Sequence, residues 1–148
     1  MAVAARAKAA LEDPSLGREA ALEQLLDLVD SLAVMLVAAG PADRWAAFVI
    51  REQMQPAAAF DIIFHGFQAR MHGLVAGLVA RVLGRDPRDP EVLVTASTLI
   101  GQVLVFRAAR TTMLKLLDWT EFTPERVAMI RTLVRRNVTR ILTPGDPR

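Results

Sequence analysis

The sequence predicts an all-α helical bundle. Glycine and proline divide the 148 residues into successive segments, and within each segment the apolar residues recur at steps of three and four, the helical period. No segment alternates apolar and polar residues as a half-buried strand does. Apolar residues make up 53% of the chain, more than one small domain easily hides. We therefore expect one helical domain whose remaining apolar surface is covered by a partner.

The composition excludes several classes of function. The chain contains no cysteine, so it forms no disulfide, thiolate metal site or cysteine nucleophile. The net charge of +2 is too small to indicate nucleic-acid binding by these residues. The longest uncharged run, Val92 to Phe106, has 15 residues, fewer than the roughly 20 that cross a membrane. The N-terminus lacks the apolar core of a secretory signal, and we expect a cytoplasmic protein without membrane contact.

The first two predicted helices end at prolines. Ala2–Glu12 stops before Pro14, because the residue that precedes a proline is pushed out of the helical region. Residues 1–14 therefore look like the tail of a helix. From about Ser15 to Ala39, apolar residues form one stripe of an amphipathic helix, which ends before Pro41.

The third and fourth predicted helices lie between Asp43 and Leu83. Asp43 is a suitable cap for a helix from Arg44 to about Gln53. The pattern from Ala57 to Leu83 is helical but contains three glycines, so either the helix bends or the small residues let a neighbouring helix approach closely. We expect a kink near Gly66.

The last two predicted helices begin with a proline in the first turn. Pro90 starts a helix that runs from Glu91 to about Asp118 and is apolar on every face, as in a central helix packed on all sides. Thr123 then caps a last helix, Pro124–Leu142, with an acidic first turn.

Two surface patterns predict a two-fold homodimer. Small residues share one face of the Glu91–Asp118 helix, which suits close packing of a second helix. In the last helix, apolar residues follow steps of three and four with one asparagine in the same seam, a pattern typical of helix pairing. The arginines beside this seam are interpreted as a solvated face rather than a nucleic-acid site, because no aromatic residues are interleaved with them. The predicted interface consists of Ser97, Gly101, Leu104, Ala108, Val127, Ile130, Val134, Asn137 and Ile141.

Polar groups within apolar helices suggest either a buried ion pair or a ligand pocket. Arg51, Glu52, Gln102 and Arg110 have to be paired, hydrated or functional. One hypothesis is an arginine–glutamate pair in an ordinary core. The other is an apolar pocket between the Arg44 to Leu83 helices and the Glu91 to Asp118 helix. It would bind a small, largely hydrophobic effector, and an arginine in its wall would recognise an acidic or phenolic group. The candidate ligand-binding residues are Trp45, Arg51, Met54, Phe60, Phe64, Phe67, Thr98, Gln102, Phe106, Arg107, Arg110 and Met113.

The two histidines do not predict a strong metal site. His65 and His72 are seven positions apart, so two helical turns separate them by about 10 Å, too far for one ion. Asp61 and His65 have a workable spacing, yet two ligands make no strong site, and partly buried polar residues are the preferred interpretation. The sequence holds no nucleophile elbow, phosphate-binding loop or paired carboxylates beside a histidine, so we expect neither a cofactor nor an enzyme.

Two segments resemble the C-terminal regulatory domain of one branch of the TetR-type transcriptional regulators, and the resemblance extends from Ser15 to Leu142. In RWAAFVIREQMQPAAAFD, the Arg-Glu, proline and Ala-Phe-Asp of that branch are matched by Arg51, Glu52, Pro56, Ala59, Phe60 and Asp61. In STLIGQVLVFRAAR, its Gly-Gln and Phe-Arg are matched by Gly101, Gln102, Phe106 and Arg107.

The resemblance implies a helical domain that senses a small molecule and dimerises through its last two helices. Residues 1–14 would be the tail of a connecting helix, and residues 15–148 the effector-binding and dimerisation domain of a repressor. Operator DNA would be bound only by an N-terminal helix-turn-helix module, which has no counterpart in these residues. Effector binding would shift the connecting helix and change the spacing of two DNA-reading modules. The alternative is a stand-alone helical dimer that binds a protein partner or a small apolar ligand, and the codons upstream of Met1 distinguish the two.

Overall fold

The structure, a computed structural model, describes residues 2–37, 43–55, 57 and 59–143, with the side chains of residues 43–46 outside the description. All regular structure in these ranges is helical, as the sequence predicts. The elements are α1 (Ala2–Glu12), α2 (Arg18–Val37), α3 (Asp43–Met54), α4 (Phe60–Ile63), a π-helical segment (Phe64–Gln68), α5 (Ala69–Leu83), α6 (Pro90–Ala108), α7 (Arg110–Leu116) and α8 (Pro124–Leu142).

The central helix of the bundle is α2. It packs against α1, α5, α6 and α8, and its Leu25 and Leu28 are almost fully buried. The expectation that the later apolar helix is packed on all sides is wrong for the single chain. Helix α6 buries one face, which includes Leu99, while Val94 and Val105 on its other faces are exposed. The apolar side chains on these other faces of α6 are therefore not covered by the described residues of this chain.

The helix ends follow local chemistry, and the Thr123 cap and the two first-turn prolines are as predicted. Gly84 ends α5 in the left-handed conformation, with φ of 65°, which glycine adopts without steric cost. The Asp89 side chain caps α6 by accepting a hydrogen bond of 2.9 Å from the backbone N–H of Glu91. Thr123 caps α8 by accepting one of 3.4 Å from the backbone N–H of Arg126. Prolines occupy the first turn of both helices.

The helix predicted from Glu91 to Asp118 is interrupted at Ala109, whose φ of −107° and ψ of 31° are not helical. The first residue after the break, Arg110, donates a hydrogen bond of 3.1 Å to the carbonyl oxygen of Val37 at the end of α2. Its guanidinium also lies 4.7 Å from the centre of the Phe122 ring. Contacts between residues far apart in sequence therefore hold α7 in its own direction.

The glycine-containing helix has two special positions, and close approach of a neighbouring helix is confirmed at one of them. The regular helix is interrupted around Gly66, which lies inside the π-helical segment. At Gly77, a Cβ atom would lie 2.9 Å from a methyl carbon of Leu11, so this glycine lets α1 approach α5 closely.

Arginines of α8 bind acidic residues of α2. Arg131 donates two hydrogen bonds, of 2.6 and 2.5 Å, to the carboxylate of Asp30, and these bonds raise the pKa of Arg131. Arg135 donates one of 2.6 Å to Glu23. Arg131 and Arg135 are partly exposed to solvent, and they also link two helices of the same chain.

Candidate functional site

An apolar cavity of about 150 Å³ lies between α2, α3, α6 and the stretch formed by the π-helical segment and α5. This is the region between the 44–83 helices and the 91–118 helix in which the sequence analysis placed an effector pocket. A cavity of this volume accommodates a ligand the size of benzene. Its wall consists of Leu32, Met35, Leu36, Val49, Ile50, Gln53, Phe67, Gln68, Met71, His72, Ser97, Ile100, Gly101 and Leu104.

Two local features contribute to the shape of the cavity. Gly101 carries no side chain, and a Cβ atom placed there would meet no other atom within 4 Å, so empty space begins at the backbone of α6. On the opposite side, the π-helical segment brings Phe67 and Gln68 to the wall, and Met71 and His72 follow one turn later. Single turns of π-helix are frequent at functional sites because they redirect side chains within a helix.

The polar groups of the wall differ in how their hydrogen bonds are satisfied. Gln68 is buried, and its side-chain Nε2 has no hydrogen-bond partner among the described residues. The ring Nδ1 of His72 lies 3.0 Å from the backbone carbonyl oxygen of Gln68. Since a carbonyl only accepts, Nδ1 is the donor in this hydrogen bond. The hydroxyl of Ser97 already donates, over 2.9 Å, to the carbonyl of Leu93.

Of the candidate ligand-binding residues, Phe67 lies on the cavity wall. Phe106 and Arg110 instead contact Phe122, with a ring-centre distance of 6.3 Å for Phe106. Trp119 packs edge-on against the same Phe122 ring at 5.9 Å. These contacts anchor the loop after α7 against α6 and the end of α2.

The remaining ligand candidates are spread over the surface and the other helices. Met54 is exposed, Phe64 stacks on Phe60 with ring centres 6.0 Å apart, and Met113 packs against the core. Thr98 is exposed and donates to a backbone carbonyl of its own helix, whereas Gln102 and Arg107 are half-buried. The side chain of Trp45 lies outside the described residues.

Arg51 and Glu52 form an ion pair at the edge of α3. The exposed guanidinium of Arg51 lies 3.8 Å from the buried carboxylate of Glu52 and 5.3 Å from the Phe48 ring centre. Glu52 also accepts a hydrogen bond of 3.2 Å from the backbone N–H of Ala57. The carboxylate therefore ties the end of α3 to the segment before α4.

The candidate interface residues divide between the core, the cavity and the surface. Val127, Ile130 and Val134 are buried in the core of their own subunit, where α8 packs on α2. They are therefore not available to a second chain while the subunit is folded. Ser97, Gly101 and Leu104 line the cavity, and Ala108, Asn137 and Ile141 are exposed. Further exposed apolar side chains on these two helices are Leu93, Val94, Val105, Met129 and Leu133.

The sequence pattern predicted His72 only as a partly buried polar residue, and it identified neither His72 nor Gln68 as a pocket residue. Their spacing of four positions within an apolar helix was the available signal. Nearby, the His65 ring lies 2.9 Å from the backbone carbonyl of Asp61 rather than from its carboxylate. Within the described ranges, no three potential ligands gather around one point where a metal ion would bind.

A second depression lies beside the cavity and is open to solvent. This groove is lined by residues of α1, among them Ala4 and Lys8, and by the chain from Gly66 to Leu74. Phe67 and Met71 line both the groove and the cavity. These two side chains therefore form the partition between the cavity and α1.

Helix α6 is the one helix among the described residues that is long and apolar enough to cross a membrane by length and composition. In the folded chain, however, its Val92, Ala96, Leu99 and Val103 are buried against neighbouring helices. Extraction of α6 into a membrane would disrupt that packing.

Two comparisons with known proteins agree with this architecture. Residues 21–144 match the family model described as "HTH-type transcriptional dual regulator CecR, C-terminal domain". The HTH-type transcriptional dual regulator CecR of Shigella flexneri is 30% identical over 95 residues, which are 64% of this chain and 43% of that protein. The chain therefore matches less than half the length of this curated relative.

Proposed function

The chain belongs to the CecR C-terminal domain family, the regulatory domains of TetR-type transcription regulators rather than enzymes, and we propose that its cavity is the effector site. The observation that carries the proposal is a ring-sized apolar cavity bounded by four helical elements, in the region between the 44–83 helices and the 91–118 helix. An empty apolar cavity lacks dispersion contacts, and a guest of matching shape supplies them. The proposed effector is small and largely hydrophobic.

The partition between the cavity and α1 suggests how an effector acts. A guest that displaces Phe67 or Met71 on the cavity side also changes the groove that α1 lines. Close packing of Leu11 on Gly77 couples α1 to α5 at its other end. We propose that α1 is the end of a connecting helix and that its shift lowers operator affinity in a cytoplasmic repressor. Operator DNA would be contacted through a DNA-binding module outside these residues.

A cavity-filling substitution tests the effector site. A thermal-shift screen of small hydrophobic compounds should find ligands, because a ligand at one hundred times its Kd adds about 2.7 kcal/mol of stability. Gly101→Leu places a side chain into the cavity and should abolish binding of the hits. Thr98→Leu, on the exposed side of the same helix, should leave binding intact. Hits that bind Gly101→Leu as they bind the unmodified chain would refute the site.

We further propose a two-fold homodimer in which α6 and α8 contact a second copy. The support is their exposed apolar side chains, of which Met129, Leu133 and Ile141 lie on α8. An obligate interface of this kind commonly buries on the order of 2,000 Å² or more. The proposed interface therefore uses the outward face of α8 and leaves the seam that packs on α2 inside each subunit.

Two adjacent residues of α8 provide a matched test of the dimer. Leu133 is 40% exposed and Val134 is 5% exposed. Leu133→Glu should yield a folded monomer in light scattering at low micromolar concentration. Val134→Glu should unfold the subunit, because it buries an unpaired charge between α2 and α8. A dimer that persists in Leu133→Glu, or a monomeric unmodified chain, would count against the proposed interface.

A further inference from the structure

The face of α6 that borders the cavity has a gap at Gly101. Ser97, Ile100, Gly101 and Leu104 all line the cavity, and their spacing of three and four positions places them on one face of the helix. Ile100 and Leu104 carry branched side chains, whereas Gly101 carries none. A Cβ atom at position 101 would therefore project toward the cavity, and it would meet no other atom within 4 Å. The space left by the missing side chain is available to a guest.

The cavity wall offers a guest apolar contacts but no charge. Among the described residues that line the cavity, none is an arginine, lysine, aspartate or glutamate. Arg110 is occupied elsewhere, since it binds the Val37 carbonyl and the Phe122 ring. The side-chain nitrogen of Gln68 exposes less than 1 Å² of surface, so a guest cannot reach it. An ionised guest would lose its hydration without gaining a partner of opposite charge, which is strongly unfavourable.

The shape of the cavity therefore decides which guest fits. A volume of about 150 Å³ holds one ring. Because protein interiors are close-packed, one methyl group too many in a filled site is unfavourable. On the basis of the proposed effector site, we propose that the ligand is an uncharged, apolar single-ring compound and that Gly101 sets its maximum size. The ring lies against the backbone of α6 at this glycine, where a larger residue would take the space of a ring substituent.

The role of Gly101 is tested by adding one methyl group to the guest and one to the protein. Affinities of benzene and toluene are measured by titration calorimetry for the unmodified chain and for Gly101→Ala. The Cβ atom of the variant occupies about the space that the methyl group of toluene needs. The toluene-to-benzene affinity ratio should therefore fall roughly fivefold or more in Gly101→Ala, because the site is overpacked by one methyl group.

Gly73→Ala is the matched control. Gly73 is also a helical glycine at which an added Cβ atom would meet no other atom within 4 Å, but it is exposed and does not line the cavity. Its replacement should leave the toluene-to-benzene ratio unchanged. Both variants should fold, because alanine favours a helix more than glycine does.

Charged one-ring compounds test the second part of the ligand class. Benzoate and benzylammonium each carry a full charge beside a ring of the same size. Each should bind the unmodified chain at least roughly tenfold more weakly than toluene, because the charge loses hydration in the cavity. Binding of either compound as tightly as toluene would refute the uncharged class.

The outcomes separate this inference from the proposed effector site. If Gly101→Leu abolishes binding of both hydrocarbons but Gly101→Ala leaves their affinity ratio unchanged, size selection by Gly101 is refuted and the cavity remains the binding site. A ratio lowered equally by Gly73→Ala would also overturn the assignment to Gly101. If neither hydrocarbon binds, but the screen yields other ligands that Gly101→Leu abolishes, the single-ring class is refuted and the effector site stands.

Discussion

Two stretches of α2 carry similar apolar residues but face different neighbours. In the middle of the helix, Leu25 and Leu28 pack against regular helices, and the crevice between α2 and α8 leaves no room for a water molecule. Near the C-terminal end of the helix, Leu32 and Leu36 border the cavity. The wall opposite them includes α3, which contacts few other elements, and the π-helical segment. Close packing therefore depends on the opposing surface rather than on the leucines themselves.

The largest difference in unfolding free energy should appear between substitutions of two leucines in this helix. Leu28→Ala removes a side chain from close-packed surroundings and should lower the free energy of unfolding by about 2–5 kcal/mol. Leu36→Ala should cost clearly less, because its side chain already borders empty space and loses fewer contacts. Urea denaturation of both variants measures the difference. Equal losses of unfolding free energy would mean that the two stretches of α2 are equally well packed.

A glycine in the cavity wall should tolerate a methyl group. Gly101→Ala should raise the free energy of unfolding by about 0.8–1.0 kcal/mol, because alanine favours the helix more than glycine does. The added methyl meets open space rather than a neighbouring atom. Gly77→Ala is the control in the packed region, where the methyl would collide with Leu11. A higher Tm for Gly77→Ala than for Gly101→Ala would contradict the presence of open space beside Gly101.

The ion pair between α2 and α8 should contribute less to the free energy of unfolding than apolar packing does. Asp30→Asn should lower the free energy of unfolding by no more than about 1 kcal/mol, since both partners are partly exposed to water. The difference between the variant and the unmodified chain should shrink as salt is added. Arg136→Gln, at an exposed position of α8, is the control and should change stability by less than about 0.5 kcal/mol. A salt-independent loss in Asp30→Asn would point to packing instead of charge.

The smallest expected effect is the pH dependence of the cap of α8. A hydrogen bond from the Thr123 side chain lowers the pKa of Glu125 below its ordinary value. The associated stability is present at neutral pH and is lost as the pH falls through the folded-state pKa, because the unfolded chain binds the proton first. The stability difference between Thr123→Ala and the unmodified chain should therefore become smaller at acidic pH. Thr123→Ser keeps the hydroxyl group and should show the same pH dependence of stability as the unmodified chain. Denaturation curves at pH 7 and pH 3 measure the change, and a difference that widened at pH 3 would contradict the cap.

Several helix ends were accessible from the sequence because their causes lie within a few residues. The Thr123 cap and the first-turn prolines Pro90 and Pro124 are local features, and the structure has them where the sequence predicts them. The Asp89 cap and the left-handed Gly84 are equally local, although they were not predicted. The break at Ala109 was not predicted, because the contacts made just after it involve residues far away in the sequence. Arg110 reaches Val37 at the end of another helix, and sequence spacing carries no record of that contact.

The all-α class and the regulatory family were therefore determined by the sequence alone, through helical periodicity and two short motifs. Which face of each helix meets which neighbour was decided by the tertiary structure. In α8 the seam containing Val134 packs on α2, while Leu133, one position away, stays exposed. The cavity beside Gly101 and Gln68 likewise has no sequence signature of its own, because it consists of space left between helices that are far apart along the chain.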